Sequence, residues 1–234
     1  VVTNRERRQV ILAWSGGKDS AWTLHALRQR EDVEVVALLT TITAEYDRSS
    51  MQGVRRAVIR AQAAAAGLPL IEQDIASGGD NAGYDAAMAS ALWRAQQRWP
   101  GLRTAAFGDL FLEDIRAYRV QRLQALGWQV DTPLFGADTA TLARQMIDGG
   151  LRAGLCCVDT TQLDAGFAGR DFDPVLLAAL PVAVDPCGER GEFHTCVWDG
   201  PMFTAPLPLM RGQTVLREGR FAYTDWLLQD HGTR

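Results

Sequence analysis

Val10-Ile11-Leu12-Ala13-Trp14-Ser15-Gly16-Gly17-Lys18-Asp19-Ser20-Ala21-Trp22-Thr23-Leu24 is the stretch that decides how this chain folds. Val10 to Trp14 is a short apolar run suited to a strand buried on both faces. Ala21, Leu24 and Leu27 recur at helical spacing, so Ser20 to Arg30 reads as a helix whose N-terminus faces the loop between them. That loop, Ser15 to Ser20, joins two glycines, which let backbone N–H groups approach an anion, to two hydroxyls and one ammonium. Lys18 is the one lysine among the 24 Lys and Arg residues. A compact ammonium enters a tight phosphate pocket that a broad guanidinium fork does not fit. The helix N-terminus adds unpaired amides and the favourable end of its dipole. Ser15, Gly16, Gly17, Lys18, Asp19 and Ser20 together predict a phosphate cradle, whereas Gly16-Gly17 alone would serve as a plain turn. The loop is not a Walker A sequence, because Leu12 stands where that pattern needs glycine.

Outward from the loop, strands and helices alternate. Glu34 to Leu39 reads as a second buried strand ending at Thr40-Thr41-Ile42-Thr43, and Gly53 to Gly67 as an alanine-rich helix closed by Gly67. Leu68 to Ile71 starts a third strand, Asp74 to Asp80 is a loop, and Asp80 or Asn81 caps a long helix to about Trp99. Thr104 to Phe107 is a fourth strand. Asp114 to Leu126 is an amphipathic helix with Ile115, Tyr118, Leu123 and Leu126 on its apolar side, and Trp128 to Val130 begins a fifth strand. The alternation predicts an α/β fold with a parallel sheet and right-handed crossovers over residues 1–132, and the expected form is doubly wound with the strand order 3-2-1-4-5. Beyond Thr132, prolines break the chain into shorter pieces, which predicts a smaller C-terminal α+β subdomain over 133–234. There Thr139 to Ile147 is a helix and Glu218-Gly219 a turn between two short strands.

Composition narrows the class. A net charge of −4 and a pI near 5.4 argue against a broad nucleic-acid surface. No uninterrupted apolar stretch reaches membrane-spanning length, and Val1 to Gln9 does not resemble a secretory signal, so the expectation is a cytoplasmic protein. Cys156, Cys157, Cys187 and Cys196 form no C-x-x-C pair and are expected to be reduced; Cys156-Cys157 reads as small-hydrophobe packing. The seven tryptophans read as core, except Trp14, which is placed to flank a nucleotide.

Ligands of a doubly wound sheet gather where the strand order reverses, here between strands one and four. That places Gly108-Asp109 beside the loop and makes Asp109 a candidate for holding Mg²⁺, a ribose or the substrate, with an N-cap as the plainer role. Asp19 is the rival metal candidate, and Thr40, at the end of the second strand, joins the nucleotide-binding candidates. A second concentrated signal is Asp185-Pro186-Cys187-Gly188-Glu189-Arg190-Gly191-Glu192-Phe193-His194-Thr195. If Glu192 to Cys196 is extended, Glu192 and His194 share one face, as a proton-transfer or metal-ligand pair; a charged surface turn is the plainer reading. No third ligand at metal spacing accompanies them, which argues against zinc.

The Ser-Gly-Gly-x-Asp-Ser loop resembles that of the N-type ATP pyrophosphatases. Over most of its length the chain is similar to the diphthine-ammonia ligase family within that superfamily. The likeness runs through Ser15 to Ser20, Tyr46-Asp47-Arg48 with Met51 and Gly53-Val54-Arg55, Gly108-Asp109-Leu110 with Arg116 and Arg119, and Pro133 to Gly136. It continues through Gly169-Arg170 with Phe172-Asp173, and is most specific at Gly188 to Thr195 with Asp199-Gly200-Pro201. The resemblance implies an ATP- and Mg²⁺-dependent amide ligase that adenylates a carboxylate for attack by ammonia, releasing AMP and pyrophosphate. Lys18, Glu189, Glu192 and His194 would be its catalytic residues. The acceptor would be a small molecule or a modified protein side chain, and a homodimer is an open expectation. One position departs: Gln52 stands where the resemblance leads to histidine, and glutamine cannot shuttle a proton. The arginine and alanine bias is that of a GC-rich bacterial genome, whereas diphthamide belongs to archaea and eukaryotes, which leaves the acceptor open. Two other functions remain in play: a tRNA-modifying enzyme that adenylates a base and delivers sulfur, and a non-catalytic ATP or AMP sensor.

Overall fold

The first strand, β1 (Arg8–Ala13), feeds two cores at once: Val10 and Leu12 enter one hydrophobic cluster, and Ile11 enters the other. This is the period-two alternation of a strand covered on both faces. The computed structural model describes residues 7–78 and 81–229. Within them β1 pairs in parallel with β2 (Val33–Thr43) and β5 (Thr104–Ala106). β2 pairs in parallel with β4 (Leu70–Ile75), and β5 with β6 (Gln129–Asp131). The parallel strands therefore lie in the order third, second, first, fourth, fifth, the doubly wound order expected. Helices α1 (Lys18–Arg28) and α2 (Arg56–Ala66) cover one face, and α3 (Asn81–Arg98) and α4 (Glu113–Ala125) the other.

Several boundaries shift for local reasons. β2 runs on to Thr43, where it also pairs antiparallel with a two-residue strand, β3 (Arg48–Ser49), in the segment that leads to α2. α2 starts at Arg56 rather than Gly53, because Gly53 is left-handed and Arg55 is the N-cap; Gly67 closes the helix in the left-handed conformation, as expected. Asp74 belongs to β4, in register with Ile42, instead of a loop. Asp80 lies outside the described residues, while Asn81 is the first residue of α3. The apolar side assigned to α4 is mostly solvent-facing: only Leu123 is buried, while Ile115, Tyr118 and Leu126 stay exposed. α4 flanks the three-residue strands β5 and β6, which offer too little surface to cover its whole face. Trp93, expected in the core, is exposed on α3.

After α5 (Thr139–Asp148), capped by the Asp138 side chain, the chain builds a second, antiparallel sheet. Its order is β8 (Phe193–Asp199), β7 (Arg152–Asp159), β10 (Phe221–Leu228), β9 (Leu209–Arg217). β7 contains Cys156-Cys157, buried with free thiols, so that run is a strand as well as packing. The expected Glu218-Gly219 turn joins β9 to β10, with both residues at positive φ. Ala153, Leu155, Phe193, Val197 and Trp226 extend the same core that Val10, Leu12 and the inner faces of α1 and α2 form. Gly154 is what allows this, since a Cβ there would come within 2.0 Å of the Trp226 ring. The antiparallel sheet thus lies on the α1–α2 side of the parallel one. None of the described helices is long and apolar enough to cross a membrane.

Candidate active site

The Ser15–Ser20 loop is moulded by close backbone approach. Gly16 sits at φ +85°, and a Cβ there would lie 2.6 Å from Ile59. A Cβ on Gly17 would lie 2.9 Å from the Gln52 carboxamide, and one on Gly108 2.9 Å from the Asp19 carbonyl carbon. Gly108 is therefore packed against the start of α1, where the strand order placed it. The rear of the loop is bound to β8. The Val197 N–H donates to the Gly16 carbonyl at 3.0 Å, and the Lys18 N–H donates to Thr195 Oγ1 at 3.0 Å. Gly17, the N-cap of α1, offers no side chain for this, so Thr195 caps the helix from the other sheet. Gln52 completes the clamp by accepting the Thr195 N–H at 3.0 Å. The position that departs from the family pattern thus holds β8 against the loop. Behind them, Gln62 accepts from the Trp14 indole and donates to the carbonyls of Gly16 and Val197.

The front of the loop opens on a cavity of about 250 Å³. Ser15, Lys18, Asp19, Ser20, Thr40, Gly108, Asp109, Glu189 and His194 all line it, as does Trp14. Trp14 is nevertheless a wall residue, buried and bonded to Gln62, and presents no open ring face of the kind expected. Gly16, Gly17 and Glu192 are not among the lining residues. Gly16 and Gly17 face Gln62, Gln52 and β8 instead. The Glu192 carboxylate accepts the N–H groups of Asp185 and Arg190 and is spent on shaping the turn that presents Glu189. Glu192 precedes β8 by one residue, so it does not share the strand alternation that was to pair it with His194.

Charges in the cavity are arranged in couples. The Lys18 Nζ lies 2.8 Å from Asp19 Oδ2, between the rings of Phe172 and Phe193. Burial favours the neutral amine, but Asp19, aided by the Cys187 thiol and Glu189, holds the Lys18 pKa above its ordinary value. Lys18 is a cation at neutral pH. Asp109 is held by Arg119, which also lies over the Phe107 ring; Leu112, not Asp109, is the N-cap of α4. Burial pushes the Glu189 carboxyl up to about 7, against the opposing Leu110 N–H that donates to Oε1 at 3.1 Å. Burial, and then Lys18, lowers the His194 imidazole to about 4, so it is neutral at pH 7 and acts as a hydrogen-bonding group.

Two features suit a polyphosphate ligand with a divalent cation. Thr40 Oγ1 is buried, borders the cavity and has no hydrogen-bond partner among the described residues. No group of three or more His, Cys, Asp or Glu forms a metal cage among those residues, but Mg²⁺ needs only one or two carboxylates beside phosphates, and Asp19 and Asp109 both border the cavity. Tyr84, Met88 and Phe107 also line it and carried no functional reading from the sequence, as do Ile115 and Cys187, which were read only as helix packing and as a reduced thiol within the second motif. Of these, Tyr84 and Met88, four apart on α3, carried a readable signal in their helical spacing.

Comparison with known proteins agrees with this architecture. A model of the diphthamide synthase N-terminal domain matches residues 8–122, and one of the diphthamide synthase C-terminal domain matches residues 138–221. The diphthine–ammonia ligase of Schizosaccharomyces pombe is 28% identical over 218 residues, an alignment that covers 86% of this chain and 36% of that protein. The chain therefore spans about a third of the length of this curated relative. Both halves of the loop-and-turn site fall within matched regions, and the chain belongs to the diphthamide synthase, or diphthine–ammonia ligase, family.

Proposed function

We propose that the protein is an ATP-dependent amide ligase that adenylates a substrate carboxylate and passes the acyl group to ammonia. The observation that carries this reading is the meeting, across one cavity, of the Lys18 loop at the α1 N-terminus with Glu189 and His194 from the C-terminal part. The relative's name, a diphthine–ammonia ligase, supplies the amide-forming character. A carboxylate resists ammonia until one of its oxygens becomes a good leaving group, and adenylation makes it one. The carboxylate oxygen attacks the α-phosphorus and pyrophosphate leaves; ammonia then attacks the acyl carbon, and AMP departs with the C–O bond. Lys18 and the α1 N-terminus would stabilise charge on the phosphates. Asp19 and Asp109 would hold Mg²⁺, which when bound neutralises further phosphate charge. Glu189, as carboxylate, would take the proton that the attacking ammonia sheds. Neutral His194 would orient the acceptor by hydrogen bonding, and Glu192 would position Glu189 through the turn.

The sulfur-transfer alternative lacks its nucleophile. All four cysteines are buried, and burial pushes the Cys157 thiol up to about 11 and Cys187 to about 12. Incubation with α-labelled ATP, Mg²⁺, ammonium and a panel of carboxylates is expected to yield AMP and pyrophosphate. ADP with phosphate would overturn adenylation, and nucleotide binding without turnover across the panel would favour the sensor.

The proton-acceptor role has its own signature. Glu189 ionises near pH 7 in the folded protein, so below that pH it is protonated and cannot accept a proton. The rate per free NH₃ is expected to rise as pH passes through about 7 and then level off. Glu189→Gln should remove that limb and lower kcat by about 100-fold. A profile that keeps its limb in the variant would assign it to another group.

A further inference from the structure

A second and larger cavity, of about 950 Å³, lies along the same edge of the parallel sheet. It is bounded by the segment after β2, the turn after β4 and the β9–β10 hairpin, with Thr43 and Ile75, the last residues of β2 and β4, in its wall. The carboxyl ends of parallel strands are where open α/β sheets bind ligands. The two cavities share Ser50 and Met51 as wall residues and adjoin across them. At about 250 Å³ the first falls short of the roughly 300–1,000 Å³ usual for a small-molecule site, while the second stands near the top of that range. A nucleotide and the body of an acceptor together need more room than the first provides.

The lining defines a chemical class. Tyr46, Met51 and Val215 border the cavity with exposed apolar side chains. Beside them Arg48 and Arg55 both bind the single carboxylate of Asp225, which leaves a surplus of positive charge; Arg217 and Glu218 balance each other. Apolar surface beside surplus cation suits an amphipathic anion. We propose that this cavity is the acceptor chamber: it houses the body of a small amphipathic carboxylate whose reacting end reaches past Ser50 and Met51 toward Lys18 and Glu189. The proposal rests on the ligase reading above, and it assigns a free small molecule rather than a folded protein as the acceptor.

Val215 faces Tyr223 across the hairpin, and both line the chamber, so Val215→Trp places an indole in it from an exposed position. Aryl, alkyl and peptidyl carboxylates would be titrated singly against the protein saturated with α,β-methylene-ATP, with binding read by calorimetry. Aryl or alkyl carboxylates are expected to bind, to lose about tenfold in affinity in Val215→Trp, and to keep it in Val215→Ala, with nucleotide affinity unchanged throughout. Absence of binding by every carboxylate, affinity indifferent to the tryptophan, or binding confined to peptidyl carboxylates would overturn the proposal. A carboxylate that binds in the chamber yet yields no AMP with ATP would sink the ligase reading and leave the chamber standing. AMP formation that ignores Val215→Trp would do the reverse.

Discussion

Lys18→Arg is expected to lower kcat/KM for ATP by about 100-fold although the charge is kept, because the site is built round an ammonium. Lys18 is 2% exposed, with its Nζ 5.9 Å from the centre of the Phe172 ring and 5.6 Å from that of Phe193. A guanidinium adds volume where these rings and Asp19 already meet, and overpacking of this kind costs about 1–3 kcal/mol. The fork must then leave the Asp19 carboxylate or push β8 away, and either movement displaces the cation from the loop. Lys18→Met is the complementary variant. It keeps the packing but leaves the half-buried Asp19 carboxylate without its cation, so it should lower both stability and ATP affinity. Steady-state kinetics with calorimetric ATP titration separates the two, and an arginine variant with wild-type affinity and turnover would refute the steric account.

Gln62→Leu is expected to destabilise the fold by about 3 kcal/mol, a large effect for a near-isosteric change. Gln62 is fully buried and makes three hydrogen bonds, accepting from Trp14 Nε1 at 2.9 Å and donating to the carbonyls of Gly16 at 3.0 Å and Val197 at 2.7 Å. The Gly16 carbonyl keeps its bond from the Val197 N–H, but the indole N–H and the Val197 carbonyl lose the bonds that Gln62 supplies. Each such loss costs about 1–3 kcal/mol. Urea unfolding measures the sum. ATP affinity should fall as well, since the same carboxamide fixes the loop to β8; an equally stable leucine variant would show that the network is dispensable.

Gln62 also shows what the sequence could reveal and what it hid. The alanine-rich helix was legible, and its buried positions Val58, Ile59, Gln62, Ala63 and Ala66 follow the helical period. A glutamine on that stripe was the signal of an interior polar partner, but its partners are Trp14 just after β1, Gly16 in the loop and Val197 in β8, and no local pattern names them. The parallel α/β class was readable because β1, β2 and β5 are apolar runs that alternate with helices. β7 was not, since AGLCCV has no alternation to separate a strand from generic core. At the active site, Lys18, Asp19 and the Gly108-Asp109 pair were found by motif and topology, and the cavity gathers them. Glu189 and Glu192 looked alike at three residues' spacing, and only the turn geometry separates the carboxylate at the cavity from the one consumed by backbone amides. α4 misled because an amphipathic period states that a face is apolar and not what covers it.

The trans cap on α1 has a consequence for when the protein can bind nucleotide. The bond from the Lys18 amide to Thr195 spans 177 residues, and the bond from Gln62 to Val197 spans 135. On a translating ribosome the loop emerges well before its clamp, which arrives only once β8 has left the exit tunnel. A nascent chain would therefore hold ATP poorly until β8 has followed the loop out, so the fold delays nucleotide binding until its acceptor side is present.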